Sequence, residues 1–385
     1  MEVKQIYEIV NSVTSEVIGD SALVAEDLSN IVDVGTAVFN ASAFDRYVKS
    51  LVNQIGKIVF VNRPYRGSVP SVLMNEWEYG SVLEKITSEM PIAAENEDWE
   101  LNDGESYDPN IFYKPSAEAK FFNSMVTFEI DRSITERTVK QSFQSASQLN
   151  AFISMLFNEV EKSMTVKTDA LVMRTINNMT ASTLYRAYNS GSTFTGAGNT
   201  RAVNLLKLYN DQYSKSLQAA DAIYDPDFIR FAAYKMGLWS DRLTRMSTLF
   251  NDGGKQRFTP KDLQHIVMLS EFASAADVFL QSDTFHNEYT KLANAEKVPY
   301  WQGTGTDYGF SSTSKIKVTT ADNESVEAGG ILAVMFDREA LGVNAYNRRV
   351  TTNYNAKADF TNYFYKMDGR YFNDFNENFV VFHIN

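Results

Sequence analysis

The stretch that decides the fold is residues 146–180, ASQLNAFISMLFNEVEKSMTVKTDALVMRTINNMT. It contains no Gly or Pro, and its apolar residues recur at helical spacing. These apolar residues are Leu149, Phe152, Ile153, Leu156, Val160, Met164, Leu171, Ile176 and Met179. Charged residues such as Glu161, Lys167 and Arg174 fall on other faces. The pattern predicts one continuous helix, on the order of 50 Å long and packed along one side.

Two features precede this helix. In residues 1–18, valine and isoleucine recur at three- and four-residue steps, which predicts an amphipathic helix, and a second helix is predicted from about Ser42. Further on, the strand-like stretches SVLEKITSEM (81–90) and MVTFEI (125–130) flank a long polar excursion. They predict a long two-stranded arm that reaches away from the body.

The tip of this predicted arm, residues 95–108, is acidic and has no basic residue. Its seven acids are Glu95, Glu97, Asp98, Glu100, Asp103, Glu105 and Asp108. The tip is a poor calcium loop, because its glycine, Gly104, falls one place late and no Glu closes the twelve-residue frame. It is also a poor glycosidase site, because a general acid needs burial to raise its pKa. We interpret the tip as a charged contact surface or a solubilising tip.

The remainder of the chain divides into two further segments. After a Gly/Ser/Thr-rich loop at 188–200, residues 201–345 mix helices with short strands, which predicts an α/β lobe. Residues 346–378 are rich in strand patterns, and their Asp368-Gly369 pair predicts a hairpin turn. The final stretch FVVFHI, residues 379–384, predicts a buried strand.

The overall composition excludes several classes of protein. Of the 385 residues, 44% are apolar and 22% charged, which is typical of a folded globular chain. The absence of cysteine excludes disulfides, thiolate zinc sites and cysteine nucleophiles. The net charge of −12 argues against tight binding of nucleic acid. The sequence has no signal-peptide pattern at its start and no apolar run of membrane-spanning length.

No arrangement of residues points to catalysis. The histidines His265, His286 and His383 do not share metal-ligand spacing, and we expect them to be structural. No GxSxG nucleophile motif is present. Residues 191–198 have the glycine spacing of a phosphate loop but lack its Lys and Ser/Thr. We therefore expect no cofactor and no metal.

The order of elements resembles a tailed-phage major capsid protein of the Hong Kong 97 type. The resemblance covers nearly the whole chain, from an amphipathic arm through an acidic-tipped excursion and a very long helix to an α/β lobe and a strand-rich return. Three stretches carry it most clearly: FEIDRSITERTVKQSFQSASQLNAF (128–152), VPYWQGTGTDYGF (298–310) and GGILAVMFDREALGVNAYNRRV (329–350). Within such phages, it favours a short-tailed one.

The resemblance implies an α+β, Hong Kong 97-type capsid fold and a structural protein with no enzymatic activity. It implies four parts: an N-terminal arm (1–57), an extended loop with its flanks (58–140), a peripheral domain with a long spine helix (141–185 and 346–378) and an α/β axial domain (186–345 and 379–385). Such subunits assemble into pentamers and hexamers, which form the icosahedral head around a double-stranded DNA genome.

The same resemblance implies partners and a location. Because no long charged helical leader precedes residue 1, we expect a separate scaffolding protein, together with the portal. We expect weak, non-specific contact with packaged DNA, no membrane, assembly in the host cytoplasm and residence in the virion. The extended loop would lie over a neighbouring subunit, where its acidic tip would meet a basic surface. Candidates for that surface are Arg348 and Arg349, or the seven Lys and Arg residues between 230 and 261.

Alternatives remain open on the sequence alone. A cellular nanocompartment shell protein shares the fold, usually with a shorter arm and loop. A carbohydrate-binding protein or glycosidase would also use the abundant Phe and Tyr, which number 26 and 20, together with the carboxylates. A different virion component is the third alternative.

Overall fold

A computed structural model describes residues 3–17, 69–74, 83–88, 117–135, 146–188, 193–281, 295–301, 315–320 and 324–385, with residues 23, 25, 50, 91, 110–112 and 114 between them. The helices in these ranges are α1 (Val3–Val17), α2 (Ala146–Ala187), α3 (Leu205–Tyr213), α4 (Ala219–Ala222), α5 (Pro226–Leu243) and α6 (Ser270–Gln281). The first strands are β1 (Leu83–Ser88), β2 (Ala117–Phe122), β3 (Met125–Thr135), β4 (Ala202–Asn204), β5 (Gln264–Leu269) and β6 (Ala295–Val298). The later strands are β7 (Lys315–Thr319), β8 (Ser325–Gly329), β9 (Ile331–Asp337), β10 (Leu341–Asn355), β11 (Phe360–Asn373) and β12 (Phe379–His383).

The long helix predicted from the sequence is confirmed. α2 has 42 residues, which at about 1.5 Å per residue is roughly 60 Å. Its first described side chains are packed on one side, since Val160, Met164 and Thr168 are buried whereas Lys162 is exposed. Over 170–184, however, nearly every side chain is buried. The prediction that the helix packs along one side only is therefore wrong for this half.

Three threonine hydroxyls of α2 are satisfied within the helix, so these residues can be buried without a polar partner elsewhere. Thr168, Thr175 and Thr180 are each buried, and each hydroxyl donates a hydrogen bond to the carbonyl four residues earlier. Because these polar groups are satisfied within the helix itself, they need no water or partner strand. The long helix can therefore pass through the core.

β3, β10 and β11 form an antiparallel sheet in the order β10-β11-β3, and α2 packs against it. The predicted hairpin turn at Asp368-Gly369 is wrong, because β11 continues through both residues and pairs with β3 and β10 on its two sides. The turn lies instead at 356–359. Gly369 has a different role: a Cβ there would come within 2.7 Å of Leu171 Cδ2 on α2. The glycine therefore permits close contact between helix and sheet.

The predicted arm is only partly correct. β1 lies within the predicted strand stretch 81–90, but the stretch 125–130 belongs to β3, in the other sheet. The strand that pairs with β1 is β2, whose sequence is AEAKFF. Ala, Glu and Lys are depleted in strands, so β2 has a weak sequence signal. The acidic residues 95–108 and the helix predicted from Ser42 fall almost wholly outside the described residues, which include only Ser50 of that helix.

A second sheet has five strands in the order β4-β12-β9-β5-β6. Two of its interior strands, β9 and β12, are buried at every position. β12 confirms the buried strand predicted for FVVFHI, and β9 is one of the short strands predicted within 201–345. Helices α3 and α6 pack against it. α5 packs on these two helices and places Trp239 against Phe382 of β12. α5 begins where the sequence favours a helix start, because Asp225 accepts a hydrogen bond from the Phe228 N–H and Pro226 follows it.

The two sheets are tied together at several points. The chain passes from β9 to β10 and from β11 to β12, and residues 374–378 form the second connection, hereafter the junction turn. The segment 69–74 also links the sheets. The Ser71 hydroxyl donates to Glu296 on β6 at 2.6 Å, and the Met74 N–H donates to the Val343 carbonyl on β10 at 2.9 Å.

Candidate assembly interface

β1 and β2 form a two-stranded antiparallel hairpin with two different faces. Alternate side chains are half-buried toward the body of the protein, and those between them are exposed. On the outward face, Ile86 lies opposite Ala119, and Phe121 lies opposite Glu84. Ile86 is 67% exposed and Phe121 63% exposed. Neighbouring apolar side chains left open to solvent are typical of surfaces that bind another protein.

On the inward face, Lys85 lies directly opposite Lys120. Like charges at such positions repel, so this pair needs compensation. The junction turn supplies it: Lys85 Nζ is 2.7 Å from Glu377 Oε1 and 3.2 Å from Asp374 Oδ2. Lys120 Nζ is 3.0 Å from Asp374 Oδ1. Glu339 adds a third carboxylate, 3.2 Å from Lys85 Nζ.

This cluster is buried enough for its charges to interact strongly. The side chain of Asp374 is 1% exposed and that of Lys85 is 16% exposed. Burial alone would raise the pKa of Asp374, but the charge of Lys85, an N–H from Asn376 and the contact with Lys120 together lower it. Burial opposes the charged form of Lys85, yet Glu377 and the other carboxylates raise its pKa. Both groups are therefore held in their charged forms.

Two further contacts hold the inward face on either side of the lysines. The Phe122 ring, at the end of β2, packs against Phe372 of β11 with ring centroids 5.1 Å apart. Toward the other end of the strand, Glu118 lies 3.1 Å from Lys255 Nζ. The hairpin is thus attached by one apolar contact, a central charged cluster and one ion pair.

The sequence-derived contact candidates are placed as follows. The seven acids between Glu95 and Asp108 lie outside the described residues. Arg349 lies on β10, and its Nη1 and Nη2 donate to the two carboxylate oxygens of Asp368 in the same chain, at 2.6 and 3.2 Å. Arg349, Thr127 and Asn347 lower the pKa of Asp368 against the opposing effect of burial. Arg348, its neighbour, is exposed.

Several members of the basic set between 230 and 261 also bind acids of the same chain. Arg257 Nε donates to Glu377 at 3.1 Å, and Lys261 lies 2.7 Å from Asp241. These intrachain ion pairs neutralise part of the positive charge that was considered for binding a neighbouring subunit. Contact of this set with a neighbouring subunit or with DNA stays a prediction.

Neither described histidine forms a reactive site. His383 is fully buried on β12, and burial lowers its pKa to about 4. Its Nε2 lies 2.9 Å from the Tyr188 hydroxyl, which itself donates to the Gly196 carbonyl. With that hydroxyl donating to Gly196, Nε2 is the ring nitrogen that donates to the Tyr188 oxygen. The low pKa keeps the ring neutral near pH 7. Burial also lowers the pKa of His265. Among the described residues, no group of acids and histidines is arranged to hold a metal.

Within the described part of the chain, none of the helices is long and apolar enough to cross a membrane.

Comparison with known proteins agrees with this geometry. The Phi29-like phage major capsid protein family matches residues 7–383. A search of curated proteins found no match. Among solved structures, a chain from the capsid of Staphylococcus phage Andhra is similar at 11% identity with a TM-score of 0.50, over 84% of this chain and 86% of that one. A chain from the capsid of Cyanophage P-SCSP1u has 10% identity and a TM-score of 0.43, over 84% and 90%.

Fold and family together identify the protein. The fold is that of phage capsid subunits, of the Hong Kong 97 type expected from the order of elements. The chain belongs to the Phi29-like phage major capsid protein family. It is thus a structural component of a virion and not an enzyme. The match does not support the nanocompartment or glycosidase alternatives.

Proposed function

We propose that this capsid protein assembles into pentamers and hexamers, which close into the icosahedral head around the double-stranded DNA of the phage. The observation that supports this most directly is the two-faced hairpin. Its inward face is fixed to the body by Lys85 and Lys120, whereas its outward face leaves Ile86 and Phe121 open to solvent. A rigid arm with an apolar outer surface is suited to covering another subunit.

The same proposal assigns each segment of the chain to a part of the capsid subunit. Residues 1–57 form the arm, and 58–140 form the extended loop with its flanks. The peripheral domain comprises 141–185 with 346–378, and the axial domain comprises 186–345 with 379–385. The packing of α2 against β11 supports the peripheral domain, and the five-stranded sheet supports the axial domain.

Partners are proposed on the same basis. Assembly takes place in the host cytoplasm with a separate scaffolding protein and the portal, and the phage is a short-tailed one. Contact with packaged DNA is weak and non-specific, because a net charge of −12 opposes tight binding to phosphates. The acidic residues between Glu95 and Asp108 face a basic surface of an adjacent subunit.

Expression of the full chain, alone and together with the scaffolding protein of the same phage, tests the proposal. We expect closed shells or isolated capsomers of five and six subunits under the electron microscope. Analytical ultracentrifugation provides an independent measure of mass. Only monomers and dimers under both conditions would contradict the proposal.

A further inference from the structure

We propose that Lys85 and Lys120 act as a latch, which fixes the direction in which the β1–β2 hairpin leaves the body and thereby the geometry of the shell. The inference rests on the proposed function, because it assigns positioning residues to the assembly reaction. It concerns how the hairpin is held and does not depend on which surface the hairpin covers.

The hairpin is poorly suited to hold itself in place. A two-stranded hairpin is marginally stable in water by itself. Here it also places Lys85 and Lys120 side by side on one face, where their like charges repel. The hairpin therefore depends on negative charge supplied from elsewhere in the chain. Asp374 and Glu377 supply it from about 250–290 residues further along.

The carboxylates of the latch are themselves rigidly held. The Asp374 N–H donates to the Ala340 carbonyl at 2.7 Å, and Asp374 Oδ1 accepts from the Asn376 N–H at 3.1 Å. Arg257 Nε contacts Glu377 Oε1, the same oxygen that Lys85 contacts, at 3.1 Å. Since these acids are almost fully buried, they cannot turn to water when a lysine is lost. Lys85 Nζ lies within 3.2 Å of both acids, so keeping both contacts fixes the orientation of the hairpin.

The position of Asp374 and Glu377 in the fold explains why the latch can affect the orientation of the whole hairpin. They lie on the junction turn, where the chain passes from the sheet of β3, β10 and β11 to the five-stranded sheet. The latch therefore fixes the position of the hairpin relative to the connection between the two sheets. Without the latch, only the contact of Phe122 with Phe372 and the partly exposed ion pair of Glu118 with Lys255 remain of these attachments, and the outward face of the hairpin is held less firmly in one direction.

The test compares Lys85→Met/Lys120→Met and Lys120→Met with the parent chain. Methionine keeps most of the side-chain length and removes the charge. Lys120→Met is included because the Lys120 side chain is 31% exposed, so this variant is expected to fold even if the double variant does not. Lys114→Met is the matched control, since Lys114 is an exposed lysine between the two strands of the same arm.

Two measurements are made on each variant. Hydrogen exchange of the unassembled full chain reports the protection of 83–88 and 117–122, and electron microscopy reports shell diameter after co-expression with scaffold. We expect at least tenfold faster exchange in both strands of the double variant, a smaller increase in Lys120→Met, and shells of irregular diameter. Lys114→Met should match the parent in both measurements.

The outcomes separate this proposal from the proposed function. Unchanged exchange and unchanged shell diameter in a folded Lys120→Met and double variant would overturn the latch. If the double variant does not fold, Lys120→Met decides alone. If parent and Lys114→Met form no shells, assembly into pentamers and hexamers is wrong. The latch is then judged by exchange, and equal protection in parent and Lys120→Met overturns it.

Discussion

Gly369 sets the distance between α2 and β11. A Cβ at this position would lie 2.7 Å from Leu171 Cδ2, closer than real Cβ contacts. We therefore expect Gly369→Ala to destabilise the protein by about 1–3 kcal/mol, as overpacking of a core does. Gly237→Ala is the control, because Gly237 lies in α5 and a Cβ there would meet nothing within 4 Å. That change should be neutral or stabilising by about 0.5–1 kcal/mol. Urea unfolding of both variants measures the difference, and equal effects would contradict the packing role.

His383 makes the stability of the protein depend on pH. Its pKa is about 4 in the folded chain, compared with an ordinary value of 6.5. Between these values the unfolded chain binds a proton that the folded chain does not. The free energy of unfolding should therefore fall as pH decreases from about 6.5 to 4, and the contribution of this group over that window is roughly 3 kcal/mol.

Replacing the histidine tests that pH dependence. His383→Gln removes the titrating group, so its free energy of unfolding should change less between pH 6.5 and 4 than that of the parent. The comparison uses denaturant unfolding at fixed salt across this range. Absolute stability of the variant is expected to be lower, because the fully buried ring is lost, but only the slope bears on the argument. Identical slopes would show that His383 does not titrate in this window.

At the scale of elements, the sequence predicts most clearly that α2 is one uninterrupted helix. Leu156 lies ten residues after the start of the helix and well inside it. A proline there removes a helix hydrogen bond and clashes with the preceding turn, at a cost of about 3 kcal/mol or more. We expect Leu156→Pro to abolish soluble expression, whereas Leu156→Met, which is compatible with a helix, should not. A soluble Leu156→Pro variant that assembles would contradict the prediction.

The elements that the sequence predicts well are those with local causes. α2 carries a long apolar pattern of helical period, and β9 and β12 are nearly continuous apolar runs. β2 was missed because its residues have low strand propensity and its position is decided by pairing with β1. The Asp368-Gly369 pair was misinterpreted as a turn because both residues are required by tertiary contacts and not by local chain reversal. The glycine makes room for α2, and the aspartate binds Arg349.

The latch was also beyond prediction from sequence, for a related reason. Lys85 and Glu377 are separated by 292 residues, and nothing local links them. The inward placement of Lys85 and Lys120 is known only from the structure, in which the exposed positions that alternate with them include Ile86 and Phe121. Charge on an inward face requires a partner. The identity of that partner depends on the fold of the whole chain.

At the scale of the whole molecule, the distribution of charge matters more than its sum. The net charge of −12 would make identical subunits repel one another unless opposite charges meet at their contacts. Seven acids without a basic residue at 95–108 are the densest negative stretch available for such a contact. Among the described residues considered as partners, Arg349, Arg257 and Lys261 each bind an acid of their own chain. Arg348 is exposed on β10 and stays, like Arg349 and the basic set, a candidate for the opposite surface.

Neutralising the tip tests this arrangement. The variant Asp98→Asn/Glu100→Gln/Asp103→Asn removes three of the seven negative charges without changing side-chain size. Exposed ion pairs contribute roughly 0–1 kcal/mol each, and salt screens them, so the effect should appear in the rate of assembly and be largest at low salt. Light scattering would follow assembly between about 50 and 500 mM salt, a range that brackets physiological screening. We expect the variant to assemble more slowly than the parent at the low end and at a similar rate at the high end. The unfolding midpoint of the subunit should be unchanged. Equal rates at every salt concentration would mean that the tip only solubilises the loop, because a contact made through charge must weaken when the charge is removed.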